Sequence, residues 1–600
     1  MNIKTDFKFL KESFLPSDIK KLKAQDLELF CSELRQELIN IVSVTGGHIG
    51  PNLGVVELTA ALYRVFDFPN DRVIWDIGHQ AYVQKMLTGR TDLLRTNRQN
   101  GKSPGYSNRE ESEYDTVTSS HAGASVSLAI GISLANNIKK SQNTAIAVVG
   151  DGSFVEGSIQ EAINHLAISK GKTLVILNDN ERAIEENYGA FHEYFKTRSL
   201  GTQNPETLFK SLGIDYIGPI DGHDIHALVN TLEDLKASQN GPVVLHIKTI
   251  KGKGLDQMAL QSDMRIHWNP AFNQETFEKT EVSIFPGGQD NSGFAARAFE
   301  QILEKDKKSI VITPAVRGNV GLSNAFNKFP EQCIDVSLAE QHAITLAGGL
   351  ALEGIKPIIG MESTFMIRSF GQIKHDICIN NLPILIVAAR SGHGFTDHIT
   401  HNALEDIAYL RSMPNLRIVY PISSQDIEET IVSEYENLSQ PTIVLFPKAN
   451  TLEDPDITDP KYFQSKEFLD KKTQGLILSV GPQNKNAEKL LFQLQKLGVN
   501  FKHQSVKEIY PLNPSIDALL SESDYIVTME EGLLDGGFGS SILEKLNDAK
   551  KSPQVLRVGF QKQFIEHGTR EYIYKKFGLD ADAIILKMQN LFPELFNKTL

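Results

Sequence analysis

The chain has 600 residues, of which 41% are hydrophobic and 22% are charged, a composition typical of a globular enzyme with several domains. The formal net charge of −13 argues against general affinity for nucleic acid or an anionic membrane surface, so we expect neither as a partner. The sequence also lacks a secretion signal and an apolar run long enough to span a membrane, and its three widely spaced cysteines suit the reducing cytoplasm.

Short apolar runs alternate with longer amphipathic stretches, which predicts βαβ units and parallel sheets. The predicted strands cover 144–150, 172–178, 242–250, 309–315, 382–390, 442–447, 475–481 and 524–530, and a predicted helix covers 486–498. Linkers are predicted near 280–292 and 452–470, because both stretches lack apolar periodicity and are rich in Pro, Asp, Gly or Ser. The expected architecture is therefore α/β with three domains, at 1–285, 292–455 and 470–600.

The first two predicted strands end in small residues that carry oxygen atoms. Gly150-Asp151-Gly152 ends one strand, and Asn178-Asp179-Asn180 ends the next. Ligands of open α/β sheets bind outside such ends, where Asp151 and Asn180 offer oxygens to Mg²⁺ and glycines let an anion approach the backbone. The segment between them is predicted to form one crossover helix whose N-terminus favours a diphosphate. The alternative is a pair of ordinary turns that bind nothing.

This spacing resembles the motif of thiamine diphosphate enzymes, in which a GDG sequence is followed by an asparagine-containing strand end. In such enzymes one α/β domain carries this motif, another carries a glutamate, and the cofactor bridges both. The stretch DVSLAEQHAITLAGGLALEGIKPI, 335–358, resembles the pyrimidine-side motif of the transketolase-like branch. The resemblance implies that Glu340 hydrogen-bonds the aminopyrimidine ring and promotes the tautomer that removes the thiazolium proton. Apart from the resemblance, Glu340 can equally be interpreted as an acidic residue that stabilises a helix N-terminus.

Longer stretches make the resemblance more specific. VIWDIGHQAYVQKMLTGR (73–90), ESEYDTVTSSHAGAS (111–125), YIGPIDGHD (216–224) and RSGHGFTDHITHNALEDIAYLR (390–411) are similar to the 1-deoxy-D-xylulose-5-phosphate synthase family, and the similarity covers nearly the whole chain. The resemblance implies three parallel-sheet α/β domains of transketolase-like type, two that bind the cofactor and one at the C-terminus. It also implies thiamine diphosphate and Mg²⁺ as cofactors, a homodimer, and a condensation of pyruvate with glyceraldehyde 3-phosphate that releases carbon dioxide.

The resemblance also implies roles for individual residues. The catalytic set is Glu340, His48, His267 and His401, because imidazoles suit proton transfer near neutral pH. The cofactor-binding set is His79, His121, Gly150, Asp151, Gly152, Ser153, Asn180, Lys251, Glu340, Phe365 and Arg368, and the metal set is Asp151, Asn180 and Arg182. The substrate set is His48, Phe370, Arg390, Asp397, His401 and Lys448. Taken singly, such histidines are more often structural, a lysine is more often solvated and an aromatic ring is more often core.

Departures from the family pattern concentrate in the predicted acceptor site. Phe370 and Gly371 stand where the family has Tyr and Asp, Lys448 stands where it has Arg, and a family insertion after Ala190 is largely missing. Loss of a phenol and of an arginine fork predicts weaker phosphate binding. Three functions therefore remain open: the synthase, with its usual or another aldehyde acceptor; a transketolase-type ketol transferase; and a non-enzymatic homologue that binds the cofactor.

Overall fold

The computed structural model describes residues 7–183, 188–196, 205–255, 267–280, 290–395, 398–449 and 473–596. Internal contacts divide the chain into two units, residues 1–282 with 336–339, and residues 283–335 with 340–600. Most of both predicted linkers falls outside the described residues, and the helix that begins at Ser292 follows directly on the first. Within the described ranges, no helix is both long enough and apolar enough to cross a bilayer.

The first unit is built on a parallel sheet. Its described strands are β1 (Arg72–Trp75), β2 (Ala145–Gly150), β3 (Thr173–Asp179), β4 (Asp215–Asp221) and β5 (Val243–Lys248), in the order β1-β2-β3-β5-β4. Alternate residues of β2 face opposite hydrophobic clusters, with Ile146 and Val148 on one side and Ala147 and Val149 on the other. Because Gly150 is in register with Asn178, the two polar strand ends lie side by side.

Helices flank this sheet. The described helices of eight or more residues are Leu27–Thr45, Val56–Val65, Ser125–Ile138, Gly157–Leu166 and Ile225–Ser238. Shorter α-helical segments are Pro16–Ile19, Ile49–Leu53, Tyr82–Leu87, Thr91–Leu94, Asp151–Phe154, Ala190–Lys196 and Pro205–Ser211.

The crossover between β2 and β3 differs from the prediction of one helix. A single turn, Asp151–Phe154, is followed by extended backbone at Glu156 and then by the helix Gly157–Leu166. The Glu156 side chain caps that second helix by accepting a hydrogen bond from the backbone N–H of Ser158 at 2.8 Å. A one-turn helix has little macrodipole, so the predicted contribution of a long helix N-terminus to anion binding does not apply at this sheet edge.

The second unit contains two sheets. One is formed by β6 (Ile310–Thr313), β7 (Cys333–Asp335), β8 (Pro357–Glu362), β9 (Leu385–Ala389), β10 (Arg417–Val419), β11 (Thr442–Phe446) and β14 (Glu508–Tyr510), in the order β14-β10-β11-β9-β8-β6-β7. The other is formed by β12 (Gly475–Ser479), β13 (Phe501–Ser505), β15 (Tyr525–Leu533) and β16 (Gln554–Phe560), in the order β13-β12-β15-β16. The pairing of β14 with β10 is antiparallel, whereas the other described strand pairings in these two sheets are parallel, so the prediction of parallel-sheet α/β domains is confirmed.

Helices also accompany both sheets of the second unit. The longer described helices are Ser292–Lys305, Glu340–Leu352, Ser424–Glu436, Gln483–Lys496, Phe538–Asp548, Arg570–Phe577 and Ala581–Leu591. Shorter segments are Ser323–Lys328, Ser363–Met366, Phe370–Gln372, the π-helical turn Ile373–Cys378, Asp406–Leu410, Ser515–Ser521 and Pro593–Phe596. All the predicted strands are present, and the helix predicted at 486–498 begins three residues earlier, at Gln483.

Candidate functional site

Three histidines from distant parts of the sequence form one cluster in the first unit, in which His48 and His79 are buried and His267 is half-buried. The ring centroids of His48, His79 and His267 are separated pairwise by 5.3 Å. The hydroxyl of Tyr106 lies 3.5 Å from Nε2 of His48. Burial lowers the pKa of His79 to about 3 and holds the pKa of His267 well below its usual value. These two imidazoles are therefore neutral near pH 7 and suit hydrogen bonding to a ligand.

The backbone around this cluster is held by Asn52. Its Nδ2 donates to the carbonyl oxygens of His48 and His79, each at 2.7 Å, and so joins the two segments that carry these imidazoles. Before His48 the chain turns through Gly47, whose φ is +141°. A side chain at Gly47 would place its Cβ only 2.7 Å from the Tyr82 hydroxyl, so only glycine fits this close approach.

Lys251 and Asp151 are buried charged groups of the same unit. The Lys251 Nζ donates to the Ala183 carbonyl oxygen and lies 3.1 Å from Nδ1 of His267. Burial lowers the pKa of Lys251 to about 7. Burial and the nearby Asp179 carboxylate raise the pKa of Asp151 to about 7. An anion that approached Lys251 would favour its charged form, and a cation that approached Asp151 would favour the carboxylate.

The asparagines and the aspartate at the end of β3 have different surroundings. Asn178 Oδ1 accepts a hydrogen bond from the Thr249 hydroxyl at 2.6 Å, whereas the buried Nδ2 has no partner within the described residues. Oδ2 of Asp179 lies 3.0 Å from Nε2 of His246 and 2.5 Å from Nζ of Lys248. Asn180 is half-buried, and its Oδ1 accepts from the backbone N–H of Arg182 at 3.1 Å. The guanidinium of Arg182 has no acceptor atom, so this residue can offer a metal only its carbonyl oxygen.

Asp76 hydrogen-bonds Ser153 and the backbone shortly after His121, and the sequence analysis missed it. It follows β1 directly, and its carboxylate accepts hydrogen bonds from the backbone N–H groups of Gly123 and Ser125 at 3.0–3.2 Å. A further hydrogen bond joins it to the Ser153 side chain, and burial raises the pKa of Asp76. His121 lies two residues before Gly123 and is half-buried. The signal available in the sequence was an acidic residue immediately after an apolar run.

These residues fit a diphosphate and a divalent cation. Nothing lies within 4 Å of the position that a Cβ on Gly150 would take, so the strand end is open. The buried Nδ1 of His79 and Nδ2 of Asn178 both lack a hydrogen-bond partner in the described structure, a costly state that a bound ligand would relieve. No cluster of three or more His, Cys, Asp or Glu side chains could hold a metal among the described residues. A cation at Asp151 and Asn180 therefore requires phosphate oxygens or water as further ligands.

In the second unit, Glu340 begins the helix Glu340–Leu352 and is 1% exposed. Its Oε2 lies 3.3 Å from Nη1 of Arg368, which stands on a 3₁₀ turn after β8. Phe365 belongs to the same segment, and its ring centroid is 6.0 Å from that of His401. Glu340 therefore lies at a helix N-terminus, as the alternative interpretation predicts, but its carboxylate is also buried and paired with Arg368. The segment that carries Phe365 and Arg368 therefore makes two contacts with other predicted site residues: Arg368 pairs with Glu340, and Phe365 packs near His401.

In the second unit, two of the predicted substrate residues follow neighbouring strands of the sheet that contains β6 to β11. Arg390 follows β9 with a φ of +63°, and its Nη1 lies 3.5 Å from Oε2 of Glu362, the last residue of β8. Lys448 follows β11 and is half-buried. The Phe370 ring packs edge-on against Tyr409 with centroids 5.9 Å apart. Asp397 lies outside the described residues. Glu362 is another strand-end residue that the sequence analysis missed.

A buried ion pair supports the segment between Arg390 and His401. Arg570 Nε donates to Oε2 of Glu531 at 2.6 Å, and Oε1 of Glu531 accepts from the backbone N–H of His393 at 2.9 Å. The neighbouring Gly392 has a φ of +87°, and a Cβ there would lie 2.6 Å from Glu531 Oε1. Burial alone would raise the pKa of Glu531, but Arg570 and the other groups around the carboxylate together hold this pKa below its usual value. The pair thus anchors the segment that carries the predicted substrate residues.

Replacing Arg570 with alanine should destabilise the second unit strongly. Both side chains of the pair are at most 3% exposed, so the change leaves a buried carboxylate without its cation, at a cost of about 3–5 kcal/mol. Thermal unfolding followed by circular dichroism should show a fall on the order of 10 °C. The exposed pair of Lys305 and Glu436 supplies the control, since Lys305→Ala should change the midpoint very little. Equal midpoints for the two variants would refute the anchoring role.

Comparisons with known proteins cover almost the entire chain. A family model described as 1-deoxy-D-xylulose-5-phosphate synthase matches residues 10–203 and 196–249. The models of the transketolase pyrimidine binding domain and of the transketolase C-terminal domain match residues 289–453 and 466–584.

Curated relatives named 1-deoxy-D-xylulose-5-phosphate synthase include those of Shouchella clausii, Caldanaerobacter subterraneus and Listeria monocytogenes. The Shouchella protein is 34% identical over 625 residues, covering 98% of this chain and 99% of the relative. The Caldanaerobacter protein is 35% identical, with 97% and 98% coverage, and the Listeria protein is 36% identical, with 96% of both chains covered. Among solved structures, transketolase from Leishmania mexicana is 17% identical with a TM-score of 0.43, covering 96% of this chain and 98% of that one.

Proposed function

The chain belongs to the 1-deoxy-D-xylulose-5-phosphate synthase family, and from this membership we propose that it condenses pyruvate with glyceraldehyde 3-phosphate, releasing carbon dioxide and forming 1-deoxy-D-xylulose 5-phosphate. It is accordingly a transferase with a transketolase-like α/β fold. The structural observation that supports the proposal best is the buried Asp151 and Lys251, together with buried nitrogen atoms of His79 and Asn178 that lack a hydrogen-bond partner among the described residues. This group is suited to a diphosphate with its cation.

Enzymes of this family use thiamine diphosphate with a divalent metal such as Mg²⁺. When bound, thiamine diphosphate supplies the carbanion centre and electron sink for decarboxylation. We assign the cation to the side chains of Asp151 and Asn180 and to the carbonyl oxygen of Arg182. The diphosphate is assigned to Lys251, His79, His121, Gly150, Gly152 and Ser153. Lys251 then adds a positive charge to that of the cation, because the anion favours its ammonium form over the neutral amine.

The pyrimidine half of the cofactor is assigned to residues of the second unit. Glu340 would accept a hydrogen bond from the ring and Phe365 would pack on the ring face, while Arg368, which pairs with Glu340, would orient the carboxylate. Proton transfer during addition to the aldehyde is assigned to His48, His267 and His401. The substrate contacts are assigned to Phe370, Arg390, Asp397 and Lys448, together with His48 and His401.

The family acts on small molecules, and we further propose that this chain forms a homodimer in the cytoplasm. None of the three cysteines is bridged, which suits a reducing compartment. Sedimentation equilibrium should give twice the chain mass of 66.7 kDa.

A donor assay separates this function from the alternatives. With thiamine diphosphate and Mg²⁺, the purified chain should release labelled carbon dioxide from carboxyl-labelled pyruvate when glyceraldehyde 3-phosphate is present. A kcat/KM for this aldehyde of about 10⁴ per molar per second or better would show that the changes at Phe370, Gly371 and Lys448 do not impair use of the phosphorylated acceptor. Transfer of a ketol group from a ketose phosphate, without use of pyruvate, would instead identify a transketolase-type enzyme. Absence of both reactions would favour a non-enzymatic homologue.

A further inference from the structure

In the second unit, three charged residues end or follow adjacent strands of the sheet that contains β6 to β11. Glu362 is the last residue of β8, Arg390 follows β9 and Lys448 lies two residues after β11. These strands are parallel neighbours in the order β8-β9-β11, and Ala389 is in register with both Glu362 and Phe446. Because ligands of open α/β sheets bind outside the carboxyl ends of strands, all three charges stand at the ligand-binding edge of this sheet.

The carboxylate of Glu362 is held against Arg390. Oε2 lies 3.5 Å from Nη1 of Arg390, and Oε1 accepts a hydrogen bond from Nδ2 of Asn319 at 2.5 Å. Glu362 is 2% exposed, whereas 18% of the Arg390 side chain is exposed. Arg390 is thus accessible to a ligand but already has an anionic partner.

Asp406 forms a second hydrogen-bonded group, which joins the strand ends that carry Glu362 and Arg390. The residues that directly follow them, Ser363 and Ser391, both hydrogen-bond the side chain of Asp406. Asp406 is 3% exposed and begins the helix Asp406–Leu410. The ends of β8 and β9 are therefore joined through a common buried residue, which fixes the spacing of the backbone positions that carry Glu362 and Arg390.

We propose that Glu362 determines acceptor specificity, because its carboxylate competes with the phosphate of the acceptor aldehyde for Arg390. A phosphate monoester carries about −1.5 to −2 charges at neutral pH, and an ionised Glu362 both repels it and occupies the guanidinium that would bind it. An uncharged aldehyde meets no such competition. Glu362 therefore lowers the preference for phosphorylated over unphosphorylated acceptors, an inference that rests on the proposed condensation of pyruvate with an aldehyde.

The test compares glyceraldehyde 3-phosphate with D-glyceraldehyde as acceptors for pyruvate in the holoenzyme. In Glu362→Gln, the ratio of kcat/KM values for the two aldehydes should rise about tenfold in favour of the phosphorylated one, mainly through a lower KM for it. Glu434→Gln is the matched control, since Glu434 also pairs with an arginine, Arg417, but at the opposite, amino end of strand β10. That variant should keep the wild-type ratio.

A second variant guards against misfolding of the first. Glu362→Asp retains the charge but withdraws the carboxylate by one methylene group, so the ratio should rise by less than in Glu362→Gln. An unchanged ratio in both folded variants, or an equal loss of both aldehyde reactions, would overturn the proposal. If the wild type used neither aldehyde, the proposed function would fail separately. The inference would then be judged by calorimetry with inorganic phosphate, which Glu362→Gln must bind about tenfold more tightly than the wild type; equal affinities would overturn it.

Discussion

Glu340→Ala should slow exchange of the thiazolium C2 proton of bound thiamine diphosphate by several orders of magnitude while leaving the cofactor bound. Glu340 is 1% exposed and lies 3.3 Å from Arg368, so its carboxylate is a buried, oriented hydrogen-bond acceptor. The ring tautomer that would remove the C2 proton depends on such an acceptor, and alanine provides none. Exchange into deuterated buffer, quenched in acid and read by NMR, measures the rate.

Two further variants make that result specific. Glu340→Gln keeps the size of the side chain and should also exchange slowly, because a neutral amide supports the tautomer less well than a carboxylate. Glu353→Ala removes an exposed glutamate just beyond the C-terminal end of the same helix and should exchange as the wild type does. Wild-type exchange in Glu340→Ala would mean that another residue activates the ring.

Asp151→Ala should abolish Mg²⁺-dependent binding of thiamine diphosphate. Asp151 is the one carboxylate in the assigned metal set, and Asn180 can supply only a neutral amide oxygen. Without the carboxylate the cation loses its charged protein ligand, and the diphosphate is left with Lys251 as the principal compensating charge. Isothermal calorimetry with cofactor and Mg²⁺ should show no saturable binding.

The control for this experiment is Asp234→Ala, which removes an exposed aspartate from the helix Ile225–Ser238. Its affinity for the cofactor should equal that of the wild type. If Asp151→Ala also bound the cofactor normally in the presence of Mg²⁺, the assignment of the metal to the ends of β2 and β3 would be wrong.

Sequence patterns predicted the strands that are apolar along their whole length. β2 and β3 are covered on both faces, so their residues form continuous apolar runs. β4, with the sequence DYIGPID, and β13, with the sequence FKHQS, escaped prediction because polar and partly exposed residues interrupt them. The broken crossover after β2 was missed because the capping contact of Glu156 competes with helix continuation over only a few residues.

The candidate site was predictable to the extent that its residues belong to local motifs. Asp151 and Glu340 stand in such motifs, whereas Asp76 and Glu362 are marked only by an apolar run that precedes a single acidic residue, a weak local signal. Their partners come from elsewhere in the chain: Ser153 for Asp76, and Arg390 for Glu362. Strand order brings each pair together, and strand order depends on crossover connections that a residue pattern does not specify.

One measurement tests the central claim most directly. The purified chain is incubated with thiamine diphosphate, Mg²⁺, glyceraldehyde 3-phosphate and pyruvate labelled with carbon-13 at its methyl and ketone carbons, and the products are read by mass spectrometry and NMR. The account predicts 1-deoxy-D-xylulose 5-phosphate with both labelled carbons at its first two positions, and an equal amount of unlabelled carbon dioxide. Unchanged pyruvate, or a pentulose phosphate without the label, would contradict it.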